Sequence, residues 1–120
     1  MNSQSLNRLK ECHPDLVRLI MRVDEIYPTH VICGYRNEAD QNLAFQGKKS
    51  LLKFPNSKHN SKPSRAVDVV SGDGKVIDWK DLKAFEVLCL TIESVAEEMD
   101  IKIRLGRDFK FRDFPHCELV

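Results

Sequence analysis

An aspartate interrupts a short apolar stretch near the middle of the chain. Asp68 is the central residue of the segment A-V-D-V-V at 66–70. An ionised carboxylate in such a segment costs several kcal/mol unless it pairs with a cation or binds a metal. His59 precedes the segment, and a second acid and histidine, Asp113 and His116, lie near the C-terminus. Two histidines and one carboxylate, with a further carboxylate to spare, are the side chains that a hydrolytic zinc site requires.

The expected arrangement of these side chains follows from the alternation of residues along a strand. If the strands that carry Asp68 and His116 are neighbours, both side chains can project from one sheet face, and His59 can join them from the preceding loop. A fourth position then stays open for a water, whose pKa a catalytic zinc lowers to about 7. We predict that Asp113 is the general base for this metal-bound water as it attacks a carbonyl, and that Arg36 either stabilises the oxyanion or holds a substrate carboxylate bidentately.

Each of these residues also has a purely structural interpretation. Asp68 could form a buried ion pair with a lysine or arginine, and Asp113 could cap a helix or lie on the surface. His13 and His30 have no acidic partner at a suitable spacing, so we expect them to be structural. Glu118 is expected to lie next to the ligands or in solvent rather than to bind a metal. The prediction of a site therefore rests on the combination of residues.

The composition is that of an ordinary soluble globular protein. The 120 residues include 19 lysines and arginines and 18 acids, with a formal charge of +1, which predicts one domain over residues 1–120 and gives no support to a nucleic-acid-binding protein. Residues 48–65 are an exception, since they contain six basic residues and no acid. A small nucleic-acid binder that uses this loop is an alternative, and its binding would weaken steeply with salt and ignore zinc.

The cysteines and the N-terminus bear on the compartment. Cys12, Cys33, Cys89 and Cys117 form no C-x-x-C pair, so we expect reduced thiols in a chain made in the cytoplasm. The first residues contain no apolar signal-peptide core, and no stretch is apolar over the ~18 residues that a membrane span needs. We therefore expect no signal peptide and no membrane span, and we expect a monomer.

Apolar periodicity, turns and caps predict alternating helices and strands. Pro14 suits the first turn of a helix that Pro28 ends, Asn37 is a suitable N-cap, and Asp78 is expected to cap the longest helix. We predict helices at 4–12, 14–27, 38–46 and 79–100, and strands at 29–35, 66–70, 75–77, 101–105 and 116–120. This order predicts an α+β fold with a small, mainly antiparallel sheet and helices packed on it.

Four segments resemble one enzyme family. S-K-H-N-S-K-P-S-R-A-V-D at 57–68 and D-F-P-H-C-E-L at 113–119 are similar to the S-x-H, A-x-D and D-x-x-H signature of the zinc D-Ala-D-Ala carboxypeptidase and L-alanyl-D-glutamate endopeptidase family. G-Y-R-N-E-A-D-Q at 34–41 resembles the family's G-x-R segment. G-K-V-I-D-W-K-D-L-K-A-F at 74–85 resembles a strand-to-helix passage in phage endolysins of this group.

The resemblance implies a role for each matching residue. It implies zinc as the cofactor, with the ligands His59, Asp68 and His116. Asp113 would be the general base and Arg36 would polarise the scissile carbonyl, and Ser57 and Gln41 would help to position substrate. The implied fold is the α+β fold shared with the Hedgehog N-terminal domain.

The resemblance also implies a substrate, the stem peptide of bacterial peptidoglycan. The enzyme would be an L-Ala-D-Glu endopeptidase of the endolysin type or a D-Ala-D-Ala carboxypeptidase, made in the cytoplasm and acting at the cell wall after release. A non-catalytic zinc-binding module of the same fold is the alternative, and the presence of Asp113 argues against it.

Two departures from the family pattern affect the pocket. The gap from His59 to Asp68 is two residues longer than in H-x-x-G-x-A-x-D, and G-R-D-F at 106–109 replaces the common G-G-D-W. We expect different substrate contacts at both places, with the ligands retained.

Overall fold

Four helices, four strands and two short 3-10 turns make up the chain in a computed structural model that describes residues 1–120. The helices are α1 (Ser3–Leu9), α2 (Pro14–Ile26), α3 (Glu38–Gln46) and α4 (Leu82–Met99). The strands are β1 (Thr29–Cys33), β2 (Ala66–Ser71), β3 (Ile103–Leu105) and β4 (His116–Leu119), and the 3-10 turns are Lys58–Asn60 and Gly106–Asp108. The predicted α+β fold is confirmed.

The four strands form one antiparallel sheet in the order β1-β2-β4-β3. Asp68 of β2 lies opposite His116 of β4, as expected if the two strands are neighbours, and opposite Cys33 of β1. Arg104 of β3 lies opposite Glu118. Because directly opposed residues point to the same side of a sheet, these side chains share one face, which we call the site face.

The other face of the sheet carries the hydrophobic core. Val67 and Val69 alternate with Asp68 and are almost completely buried, under α2 and α4, which pack against each other and against the sheet. The buried positions of α2 follow a helical stripe: Leu16, Leu19, Ile20 and Val23. Each such side chain contributes about 1.5–3 kcal/mol through removal from water, so the core side holds the strands in place for the site side.

Two predicted elements differ from the structure. The longest helix begins at Leu82 rather than Trp79, because Asp81 is its N-cap and accepts a hydrogen bond from the Ala84 amide at 3.0 Å. Asp78 instead closes a turn onto the Lys80 amide at 3.0 Å. The predicted strand at 75–77 is wrong: this segment pairs with no other strand, and Val76 at its centre is 90% exposed.

Other boundaries shift by a few residues. Helix α1 ends at Leu9 rather than at 12, since Cys12 forms an isolated parallel bridge with Ser64 instead of a helical turn. None of the helices combines the length and the apolar character needed to cross a bilayer.

Candidate active site

Asp68 lies between two imidazoles on the site face. Its Oδ1 is 3.2 Å from Nε2 of His59 and 3.2 Å from Nδ1 of His116. The two rings are 5.2 Å apart between centroids and inclined by 69°. The two histidines predicted as ligands therefore both meet the same oxygen of the third, Asp68, although the three residues are distant in sequence.

His59 is positioned by the 3-10 turn that follows Ser57. The Ser57 hydroxyl oxygen accepts from the His59 amide at 3.2 Å, and the Asn60 side chain accepts from the Ser57 amide at 3.1 Å, which is a capping box. The His59 ring is 2% exposed, and its Nδ1 donates to the Gly34 carbonyl at 2.7 Å. Since a carbonyl only accepts, the neutral ring carries its proton on Nδ1 and directs a lone pair on Nε2 towards Asp68.

His116 is positioned in the same way by an acid. Its Nε2 donates to Glu118 Oε1 at 2.8 Å, and Glu118 Oε2 lies 3.1 Å from the Lys58 ammonium. Lys58 also donates to the Leu119 carbonyl. With the Nε2 proton engaged, the neutral His116 ring directs the Nδ1 lone pair towards Asp68. Hydrogen bonds of this type orient metal-binding histidines in proteins.

The charges of this group favour a cation at its centre. Burial opposes ionisation of Asp68, but hydrogen bonds from His116 and His59 outweigh it and hold the pKa of the carboxyl well below its usual range. Burial likewise opposes charge on the two histidines, and contact with Asp68 nevertheless raises the pKa of both. Contact with Asp68 thus stabilises a proton on each nitrogen that faces it, and a bound metal would replace these protons.

Asp113 adds a second carboxylate beside these ligands. One of its oxygens lies within 4.8 Å of the ligand atoms of Asp68 and His116. Desolvation by neighbouring protein atoms, together with the negative charge of Asp68, raises the pKa of the Asp113 carboxyl. The Asp113 amide donates to the Gly106 carbonyl at 2.9 Å, and a Cβ at Gly106 would collide with the Asp113 carbonyl oxygen. Glycine at 106 therefore permits the close backbone approach that places Asp113.

Arg36 approaches Asp68 from the end of β1. Its guanidinium lies 3.6 Å from Asp68 Oδ2 and donates to Gln41 Oε1 at 3.0 Å. Gln41 is fully buried on α3, and its amide group donates to the Ser50 hydroxyl at 2.9 Å and to the Leu52 carbonyl at 2.6 Å. The structure thus places Gln41 behind Arg36 and Ser57 behind His59.

The long gap between His59 and Asp68 is tied to the N-terminal helices through Ser64. The buried Ser64 donates its amide to the Glu11 carbonyl at 2.9 Å and accepts from the His13 amide at 2.8 Å. The additional residues of this gap thus form a segment anchored to the connection between α1 and α2, and β2 begins directly after it.

The family model of phage L-alanyl-D-glutamate peptidases matches this chain over residues 1–120. The chain belongs to this family. The L-alanyl-D-glutamate peptidase of Escherichia phage T5 is 30% identical over 118 residues, which cover 96% of this chain and 85% of the phage T5 protein. The crystal structure of the L-Ala D-Glu endopeptidase ChiX of Serratia marcescens is similar with a TM-score of 0.85 and 28% identity, over 100% of this chain and 89% of that chain.

These similarities confirm the resemblance drawn from the motifs. Membership of the family places the chain among the peptidases that act on peptidoglycan. The donor atoms are of the types that zinc binds, since catalytic zinc sites use imidazole nitrogens and a carboxylate oxygen, with the outer imidazole nitrogens hydrogen-bonded as they are here.

Glu118 is expected next to the ligands or in solvent, and the sequence pattern indicates no site role for Cys33. Cys33 is one of four thiols, all of which are free in the structure. Its Sγ lies 3.6 Å from the Arg36 guanidinium and within 4.8 Å of the ligand atoms of His59 and Asp68. Glu118 contacts His116 directly. Both follow from strand register: Cys33 opposes Asp68, and Glu118 shares a face with His116.

The two remaining histidines have structural roles, as expected. His13 caps α2 by accepting from the Asp15 amide at 3.1 Å. His30 is buried against the Ser5 hydroxyl at 2.8 Å.

Proposed function

We propose that this chain is a zinc-dependent endopeptidase that hydrolyses the L-Ala-D-Glu bond of the peptidoglycan stem peptide. The observation that carries the proposal is the convergence of His59 Nε2 and His116 Nδ1 on the same oxygen of Asp68. The relatives support the choice of bond, since the phage T5 protein and ChiX are both named for L-Ala-D-Glu cleavage. This favours the endopeptidase over the D-Ala-D-Ala carboxypeptidase.

His59, Asp68 and His116 would hold the zinc ion. When bound, zinc would supply Lewis acidity to the scissile carbonyl and to water. The protein's contribution is to keep both histidines in the tautomer that presents a lone pair to the centre, through the Gly34 carbonyl and the Glu118 carboxylate.

Asp113 would move the proton. As a carboxylate it accepts a proton from the attacking water, and it then delivers this proton to the departing nitrogen of D-glutamate. The pKa of this carboxyl is raised towards neutral pH. A general base transfers protons most efficiently when its pKa is near the working pH.

Arg36 would stabilise the negative charge that develops on the carbonyl oxygen. Gln41 fixes the guanidinium from behind, and Ser57 fixes the turn that carries His59. The side chains of Gln41 and Ser57 are buried. We therefore propose that they position substrate indirectly, Gln41 through Arg36 and Ser57 through His59.

Digestion of purified sacculi tests the proposal. We expect fragments with a free L-alanine carboxyl and a new D-glutamate amino terminus in the mass spectrum, with cleavage abolished by a chelator and restored by zinc. Release of D-alanine alone would assign a carboxypeptidase instead. Stoichiometric zinc binding without any cleavage would support the non-catalytic module.

The setting of the reaction is part of the proposal. The chain would act as a monomeric catalytic domain at the bacterial cell wall, after release from the cytoplasm in which it is made. Sedimentation of the zinc-loaded protein at several concentrations tests the monomer.

A further inference from the structure

Strand β3 contributes a basic side chain to the site face. Arg104 lies opposite Glu118 in the β3–β4 pair, and Glu118 is on the same face of β4 as His116. Arg104 is exposed. A cation therefore projects from the sheet face that carries the ligands, one strand beyond His116.

An aromatic ring connects this arginine to the site. The Arg104 guanidinium carbon lies 5.2 Å from the centroid of the Phe109 ring, which is a cation–π contact. The same ring also contacts His116, with 5.4 Å between centroids at an angle of 50°. Arg104 thus packs on Phe109, and Phe109 packs on the proposed ligand His116.

Arg104 has no acidic partner. No carboxylate lies within 4.0 Å of its guanidinium, whereas three other cations near the site are paired: Arg36 with Asp68, Lys58 with Glu118, and Arg107 with Glu93. The carboxylate opposite Arg104, that of Glu118, is already engaged by Lys58 and His116. The exposed guanidinium is therefore available to an anion from solution.

The substrate proposed above provides such an anion next to the bond that is cut. Glutamate has two carboxyl groups, and only one of them continues the peptide chain, so the residue after the scissile bond carries a second, free carboxylate. We propose that Arg104, supported by the Phe109 ring, binds this carboxylate and selects D-glutamate on the leaving side. This inference rests on the proposed function. Arginine suits the task because its planar group binds carboxylates bidentately.

Two synthetic stem peptides that differ in one group test this subsite. In one the free glutamate carboxylate is retained, and in the other it is a carboxamide. We expect the wild-type enzyme to prefer the carboxylate peptide in kcat/KM by roughly 10-fold or more, the size of a charge-assisted hydrogen bond. In Arg104→Gln this preference should fall to about one, mainly through a higher KM for the carboxylate peptide, and Arg104→Lys should restore part of it.

Lys53→Gln is the matched control. Lys53 is also an exposed cation above an aromatic ring, 5.1 Å from the centroid of Phe45, and this ring lies on α3, which carries none of the proposed ligands. This variant should keep the preference for the carboxylate. A calorimetric titration of the zinc-free protein with the product peptide that begins with D-glutamate provides a readout independent of turnover, and Arg104→Gln should weaken this binding by the same factor.

The outcomes separate this inference from the proposed function. Equal turnover of the two peptides by the wild type, or an unchanged preference in Arg104→Gln, overturns the assignment of Arg104 and leaves the peptidase intact. Failure to cleave either peptide in the presence of zinc overturns the proposed function, and the assignment of Arg104 with it.

Discussion

Glu118 Oε1 lies 2.8 Å from Nε2 of His116, on the opposite side of the imidazole from Asp68. The acid and the metal-facing nitrogen are thus at opposite ends of one ring. Because Lys58 holds the other oxygen of Glu118, the orientation of His116 depends on a pair of residues that do not themselves face the metal.

Replacement of Glu118 should therefore weaken metal binding without unfolding the protein. We expect Glu118→Ala to lower zinc affinity about 10- to 100-fold, and Glu118→Gln to lower it less, because its amide oxygen can still accept from Nε2. Chelator competition at fixed pH measures the effect. Glu97→Ala on the exposed side of α4 is the control, and an equal loss in that variant would contradict the role of Glu118.

Replacement of Asp113 should lower kcat, whereas replacement of a proposed ligand should lower zinc affinity. Asp113→Ala should retain zinc and lose about 10²- to 10⁴-fold in kcat, the range for a general base. His59→Ala and Asp68→Asn should lose zinc affinity first. Metal content by atomic absorption and kcat on the same preparations distinguish the two groups. Full activity in Asp113→Ala would assign the base to another residue.

Loss of Gln41 should act on both stability and rate. Gln41→Ala leaves Arg36 and the Asn60 amide without their shared acceptor. We expect about 1–3 kcal/mol of destabilisation in urea unfolding, the cost of unpaired buried polar groups, together with a lower kcat. Gln46→Ala on the same helix is exposed and should change neither value; if the two variants behave alike, Gln41 does not position Arg36.

The stability of the zinc-free protein should pass through a maximum with pH. The pKa of Asp68 is lowered by folding, so its contribution is present above the unfolded value of about 3.9 and is lost as pH falls. The pKa values of His59 and His116 are raised, so their contribution is present below about 6.5 and is lost as pH rises through the folded values.

Zinc should reverse the alkaline loss. Since the metal competes with protons for both imidazoles, the rise in Tm that zinc produces should grow as pH increases from about 6 to 8, around the unfolded histidine value. Thermal scans with chelator and with zinc across this range measure the zinc effect, and scans with chelator from about pH 3 upwards measure the maximum. A zinc shift in Tm that is independent of pH would contradict binding through the two histidines.

Gly106→Ala should displace the general base. The new Cβ collides with the Asp113 backbone, and we expect about 1–3 kcal/mol of destabilisation, typical of overpacking, with a fall in kcat. Gly47→Ala is the control, because its Cβ comes no closer than 3.3 Å to the Leu43 carbonyl oxygen and 4.0 Å to the Ala44 carbonyl oxygen. Activity in Gly106→Ala equal to that of Gly47→Ala would show that the Asp113 loop tolerates displacement.

The site could be predicted from the sequence because its main signal is an energetic conflict. A carboxylate within a valine-rich strand needs a cation, and only a few histidines are available to hold one. The fold followed from periodicity and from caps such as Asn37, whose side chain accepts from the Asp40 amide at 2.8 Å. These signals are local, and the structure agrees with them.

The errors arose where two local signals compete or where the partner is distant. Asp78 and Asp81 are both suitable caps, and in the structure Asp81 caps the helix while Asp78 accepts from the Lys80 amide in the preceding turn. The segment 75–77 has strand-like residues, but a strand needs a neighbour to accept its hydrogen bonds. The roles of Cys33 and Glu118 depend on register, which a single sequence does not specify.

The bridge between Ser64 and the α1–α2 connection allows the loop between His59 and Ser64 to change in length without moving the proposed ligands. Because the main chain is fastened there, insertions or exchanges at residues 61–63 can remodel this largely exposed rim while His59 and Asp68 stay in place. Sequence changes in this rim can therefore alter its contacts with the peptidoglycan of a different bacterial host, while His59, Asp68 and His116 keep their positions.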